Sequence, residues 1–119
     1  MMPKSRYRLA VASSNGVLVD THFGQAASFL IYEISGGHFT QVEERVTGKY
    51  CLGPGECGLN EHNRETIIEA LSDCDAVLSL RIGPEAKEKL VKHGILPMEC
   101  YDEIGNGLMA AVEVLRLRF

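Results

Sequence analysis

The feature that most constrains this chain is the Gly36-Gly37 pair, set between two β-rich runs. Phe29–Ile34 leads into it and His38–Val46 leads out. A two-residue glycine link between strand patterns supplies the positive φ angles of a tight hairpin. Upstream, the run Tyr7–Ser13 contains a short strand, Arg8–Ala12, with small residues on one face. The returning run carries Phe39, Val42 and Val46 at uneven spacing, which predicts an irregularity within it. The first half therefore reads as an antiparallel meander.

After Thr47 the pattern changes. A glycine-rich stretch, Gly48 to His62, contains Cys51 and Cys57. Asn63 is a candidate N-cap, and Ile67, Ile68 and Leu71 follow at helical spacing. Ala76–Leu80 reads as a buried strand. Gly83-Pro84 opens a second helix with proline at its first position, Ala86, Leu90 and Val91 facing inward, and Gly94 as its stop. Ile95–Met98 is a short strand that Pro97 assigns to an edge. Leu108, Ala111, Val112 and Leu115 mark a final amphipathic helix, preceded by a turn over Tyr101, Asp102 and Glu103. The order is β-β-β-α-β-α-β-α. It implies an α/β fold with a mixed five-stranded sheet flanked by helices.

With 119 residues, the chain is expected to form one domain, 1–119, that buries roughly two thirds of its unfolded surface without disulfides. No apolar run approaches the roughly 20 residues of a membrane span, and the basic N-terminus has no apolar segment after it. A cytoplasmic location without membrane association is the expectation. The net charge is −4 and the basic residues are scattered, so no nucleic-acid footprint is present. Lys87, Lys89 and Lys92 alternate with Glu85 and Glu88 as on a solvated helix face.

In a sheet of this kind, ligands bind beyond the carboxyl ends of the parallel strands. That edge would gather the Ser13–Gly24 loop, the Arg81–Gly83 turn and the Cys100–Gly107 turn. His22 lies on it, outside any apolar period, either as a ligand or as an ordinary exposed or capping histidine. Gly24 permits close approach to the backbone, and the amides after it are candidates to face an anion. Arg81 ahead of the second helix suits an anionic ligand, or forms an exposed ion pair. Asp20 is a candidate to orient the imidazole of His22. Cys51 and Cys57 flank Gly53-Pro54-Gly55, either as soft-metal ligands or as incidental thiols. Their C-x5-C spacing is not a zinc knuckle. His62 is a candidate cap or ligand, Cys74 a small buried hydrophobe, and Cys100 a weaker ligand candidate at the edge.

The segment Val11–Ile34, with Asp20-Thr21-His22-Phe23-Gly24 and the downstream Phe29-Leu-Ile-Tyr-Glu33, resembles the dinitrogenase iron–molybdenum cofactor biosynthesis family. That family includes the NifX and NafY carriers and the C-terminal domain of NifB. The likeness continues through Tyr50-Cys51-Leu-Gly53, Cys74–Leu78 and Arg81-Ile-Gly83. It implies a ribonuclease-H-like fold and a non-enzymatic carrier. The cargo would be an iron–sulfur cluster, an iron–molybdenum cofactor precursor, or a molybdenum–copper cluster such as one relative holds. Donor and acceptor proteins of cofactor biosynthesis or nitrogenase would be its partners. The family's histidine corresponds to His22 and its first loop cysteine to Cys51; Cys57 is not carried over from the resemblance. The triple-cysteine motif of NifB's radical S-adenosylmethionine domain is absent from the sequence. Two alternatives stand beside this reading. One is a metal-dependent phosphoryl-transfer enzyme using Asp20, Glu33 and Asp75; the other is a regulatory protein-interaction module.

Overall fold

The structure, a computed structural model, describes residues 6–47 and 61–117, the side chains of 61–63 excepted. Its elements are β1 (Arg6–Val11), β2 (Leu18–Val19), a 3-10 turn (Phe23–Gln25), β3 (Ser28–Ser35), β4 (His38–Val46), α1 (Glu61–Ala70), β5 (Ala76–Ser79), α2 (Pro84–Lys92), β6 (Leu96–Glu99), β7 (Asp102–Glu103) and α3 (Ile104–Leu117).

Five strands form one mixed sheet in the order β4-β3-β1-β5-β6. β4, β3 and β1 run antiparallel, while β1, β5 and β6 run parallel. The hairpin turns on Gly36 and Gly37, with φ of 59° and 82°, the left-handed pair that matches strand twist. The irregularity lies opposite Ile31 and Tyr32, which pair with Glu43 and Gln41 and leave Val42 as the extra residue.

Strand alternation sends Ala10, Ile31 and Val77 to one face, where Ile67, Ile68 and Leu71 of α1 and Leu90 of α2 cover them. Leu9, Val11, Tyr32 and Leu78 face the other way, against Leu108, Ala111, Val112 and Leu115 of α3. β1 over Leu9–Val11 and β5, sandwiched between helices, are therefore buried on both faces, while the edge strand β6 is half-buried. Among the described residues, no helix is long and apolar enough to cross a membrane.

Several local expectations are revised. Asn63 lies inside α1, so it is not the cap, and His62 also falls within the helix. Val91 points outward, 51% exposed, because only Ala86 and Leu90 of α2 meet the sheet. β6 begins at Leu96, leaving Ile95 as a buried residue ahead of it. Asp102 and Glu103 form β7, pairing antiparallel with β2. This ladder ties the loop after β1 to the start of α3, and the Ile104 amide adds a bond to the Val17 carbonyl.

Candidate functional site

The carboxyl ends of β1, β5 and β6 bring three loops together. The Ala12 amide donates to the Leu78 carbonyl and the Cys100 amide to the Ser79 carbonyl, both at 2.9 Å. The parallel ladder thus extends past the strand ends into the loops.

His22 stands on this edge and is held from both sides. The Leu80 amide donates to the Thr21 carbonyl, and the Phe23 amide donates to the Arg81 carbonyl, each at 2.9 Å. The two residues flanking His22 are thereby clamped to the segment that follows β5. Phe23 anchors the turn in the core at 0% exposure, in contact with Phe29. The His22 side chain is exposed and makes no capping hydrogen bond to the 3-10 turn. The result is an imidazole turned to solvent on a fixed backbone.

The preceding loop satisfies its own amides. Asp20 accepts from the Ser14 amide at 2.8 Å, the Ser14 hydroxyl at 2.6 Å and the Thr21 hydroxyl at 2.9 Å. The Ser14 hydroxyl and amide lower its carboxyl from the usual range. Asn15 accepts from the Val17 and Leu18 amides, and Ser13 from Gly16. Asp20 is therefore a loop staple, and the expected role in orienting His22 is replaced by this one. The Gln25 and Ala26 amides after Gly24 donate back to the His22 and Phe23 carbonyls. Those amides close the turn instead of facing a ligand; Gly24 itself is half-buried beside His22.

Arg81 is exposed on the same edge, one residue from Ile82 and two from the N-cap of α2, Gly83. Gly83 offers no side-chain cap to that helix start. One residue here escaped sequence reasoning. Glu99, at the end of β6, accepts from the Ile82 amide at 2.8 Å and from Lys87 Nζ at 3.1 Å. The Ile82 amide is the main reason its carboxyl sits below the ordinary value. Its position at a strand end on the ligand edge was the only available signal.

Cys100 is half-buried on this edge, and burial raises its thiol. Cys74 is buried at the far end of the sheet, where desolvation pushes it up to about 12. It is the apolar filler that its sequence context implies. Cys51 and Cys57 lie outside the described residues, and so does the side chain of His62. Among the described residues, no three His, Cys, Asp or Glu side chains converge to hold a metal ion.

The acids considered for phosphoryl transfer are each engaged elsewhere. Glu33 pairs with the Arg8 guanidinium. Asp75 accepts from the Arg8 amide at 2.9 Å, and Asp20 staples the loop at the opposite end of β1.

The fold is of the mixed α/β class, with an imidazole and a guanidinium exposed at the carboxyl edge of its parallel strands. The dinitrogenase iron-molybdenum cofactor family model matches residues 5–114, and the chain belongs to that family. It is 42% identical over 100 residues to the FeMo cofactor biosynthesis protein NifB of Frankia alni, a match covering 84% of this chain and 20% of that protein. It is 34% identical over 91 residues to the protein NifY of Azotobacter vinelandii, covering 76% of this chain and 35% of NifY. The chain thus spans about a fifth of NifB and a third of NifY. Among solved structures, PH0822 matches with a TM-score of 0.62 at 24% identity, over 89% of this chain and 90% of that one. The apo orange protein of Desulfovibrio gigas matches at 0.60 and 19%, over 90% and 88%. These two likenesses concern the fold.

Proposed function

We propose that this domain binds a preformed iron–sulfur-based cluster, the iron–molybdenum cofactor or a precursor of it, and holds it for transfer without chemical turnover. The observation that carries this reading is the exposed His22 imidazole on a backbone clamped at both neighbouring residues. A neutral imidazole is a good borderline ligand for iron. Its fixed backbone means that little ordering entropy opposes binding. The Arg81 guanidinium, on the same edge, offsets the negative charge of a sulfide-rich cluster. Cys51 and Cys57 are the thiolates proposed to complete the site.

Family membership and the likeness to NifB and NifY support cofactor biosynthesis as the setting, with other proteins of that pathway as donor and acceptor. The ribonuclease-H-like description of the sheet belongs to this reading too. A site with few fixed ligands suits a cargo that must leave again. The test is anaerobic titration of the protein with isolated iron–molybdenum cofactor, followed by metal and sulfide analysis. Saturable binding that weakens in His22→Ala supports the reading. Absence of binding to the wild-type domain removes it.

A further inference from the structure

The turn that clamps His22 is itself tethered from a third strand. Residues 80–83 leave β5, receive both backbone bonds flanking His22, and enter α2. From α2, the Lys87 amide donates to the Gly83 carbonyl at 2.9 Å, and Gly83 has no side chain with which to accept from the Ile82 amide. The Ile82 amide would be an unmet donor inside a residue that is only 3% exposed. Glu99 meets it at 2.8 Å from the end of β6, 17 residues away in sequence.

We propose that Glu99 is a positioning residue for His22 and Arg81. Its carboxylate fixes the 80–83 turn, and the turn fixes the backbone that carries the imidazole through the Thr21 and Phe23 backbone bonds. A charge-assisted bond of this kind is about twice as strong as a neutral one. The second oxygen takes Lys87 Nζ at 3.1 Å, which orients the carboxylate from the first turns of α2. Arg81 lies within that turn, so the same carboxylate bond holds the backbone of both proposed cargo contacts. This inference rests on the carrier reading for its purpose, though its geometry is independent of any cargo.

The experiment compares Glu99→Ala, Glu99→Gln and Lys87→Met with the wild type. Amide hydrogen exchange by NMR reports on the clamp without cargo. In Glu99→Ala, protection of the Phe23 and Leu80 amides should fall by at least about tenfold, while Ala12 and Cys100 on the same edge hold. Glu99→Gln keeps an acceptor for Ile82 and should restore protection to within about twofold, as should Lys87→Met. If Glu99→Ala fails to fold, Glu99→Asp, one methylene too short to reach Ile82, takes its place. Unchanged Phe23 and Leu80 exchange, or an equal rise at all four amides, would overturn the proposal.

Titration with isolated iron–molybdenum cofactor then separates the two ideas. Weakening by at least about tenfold in Glu99→Ala, with recovery in Glu99→Gln, supports positioning of the cargo contacts. If the wild type binds and Glu99→Ala binds equally well, the inference fails and the carrier reading stands. If the wild type does not bind, the carrier reading fails, and with it the cargo-directed role of Glu99.

Discussion

His22 carries no share of the core, and that separates its structural from its binding role. Its exposed ring leaves no cavity when removed, and the clamp that holds it is made of backbone atoms. His22→Ala should therefore change stability by no more than about 0.5 kcal/mol. The same substitution should weaken cluster binding strongly, read by titration beside a melting curve. Equal affinity in the two proteins would eliminate His22 as a ligand. Asp73 shows the opposite logic. Its carboxylate lies 2.8 Å from both Arg45 and Arg8, and chiefly the Arg45 hydrogen bond lowers it to about 2. A depressed carboxyl contributes stability above its unfolded value, about 3.9. That contribution is lost as pH falls through about 2. Because the side chain is 45% exposed, screening limits it to about 1 kcal/mol or less. Asp73→Asn should lower stability in urea at about pH 6 and converge on the wild type as pH falls below about 2. A gap that persists in acid would assign the loss to something other than charge. At this scale the exposed place of His22 on the edge was legible, because a histidine outside every apolar period stands out in the sequence. Glu99 and Asp20 were not. Each takes a backbone amide, whose identity no residue pattern encodes.

Between elements, the approach of α3 to the sheet turns on glycine. A Cβ on Gly107 would lie 2.9 Å from Leu78 Cδ2 and 3.5 Å from both Cys100 Sγ and Val19 Cγ2. Leu78 is fully buried, so it has no space into which to retreat. Overpacking of this kind costs about 1–3 kcal/mol, against about 1 kcal/mol gained in helix propensity. Gly107→Ala should be destabilising by about 1 kcal/mol, on the same comparison. Gly105 is the matched control. There a Cβ meets only the Phe39 ring, at 3.1 Å, and Phe39 is 44% exposed and able to swing outward. Gly105→Ala should be neutral or stabilising by up to about 1 kcal/mol. Chemical denaturation of both variants decides it; equal effects would mean that the closeness of helix and sheet is not what matters. The strands and helices that pack on long apolar periods were readable from the sequence, as was the hairpin at Gly36-Gly37. The β2–β7 ladder was not, because two-residue strands show no period. Val91 misled for a related reason: a short helix shows the sheet only one narrow stripe.

At the scale of the whole molecule, the ligand edge is assembled by the sheet from segments distant in sequence, and the order of the pattern allowed that edge to be located. Whether Cys51 and Cys57 act with His22 is a question about one site or two. A cluster bound to the folded domain at a hundredfold excess over Kd stabilises it by about 2.7 kcal/mol, so melting of the loaded protein reports binding. If His22 and Cys51 hold the same cluster, their effects on affinity are coupled. Once one ligand is gone, the cargo is free to shift, and loss of the other then costs less. The prediction is a double-mutant cycle with His22→Ala and Cys51→Ser in which the binding free energies depart from additivity by more than about 0.5 kcal/mol. Asp73→Asn combined with His22→Ala is the additive control, because Asp73 lies in the Arg8–Arg45 network beyond the other end of β1. Replacing Cys51→Ser with Cys57→Ser tests the second thiol in the same way. Additivity for both cysteines, with His22→Ala still impairing binding, would remove them from the site and leave His22 and Arg81 as its protein contacts.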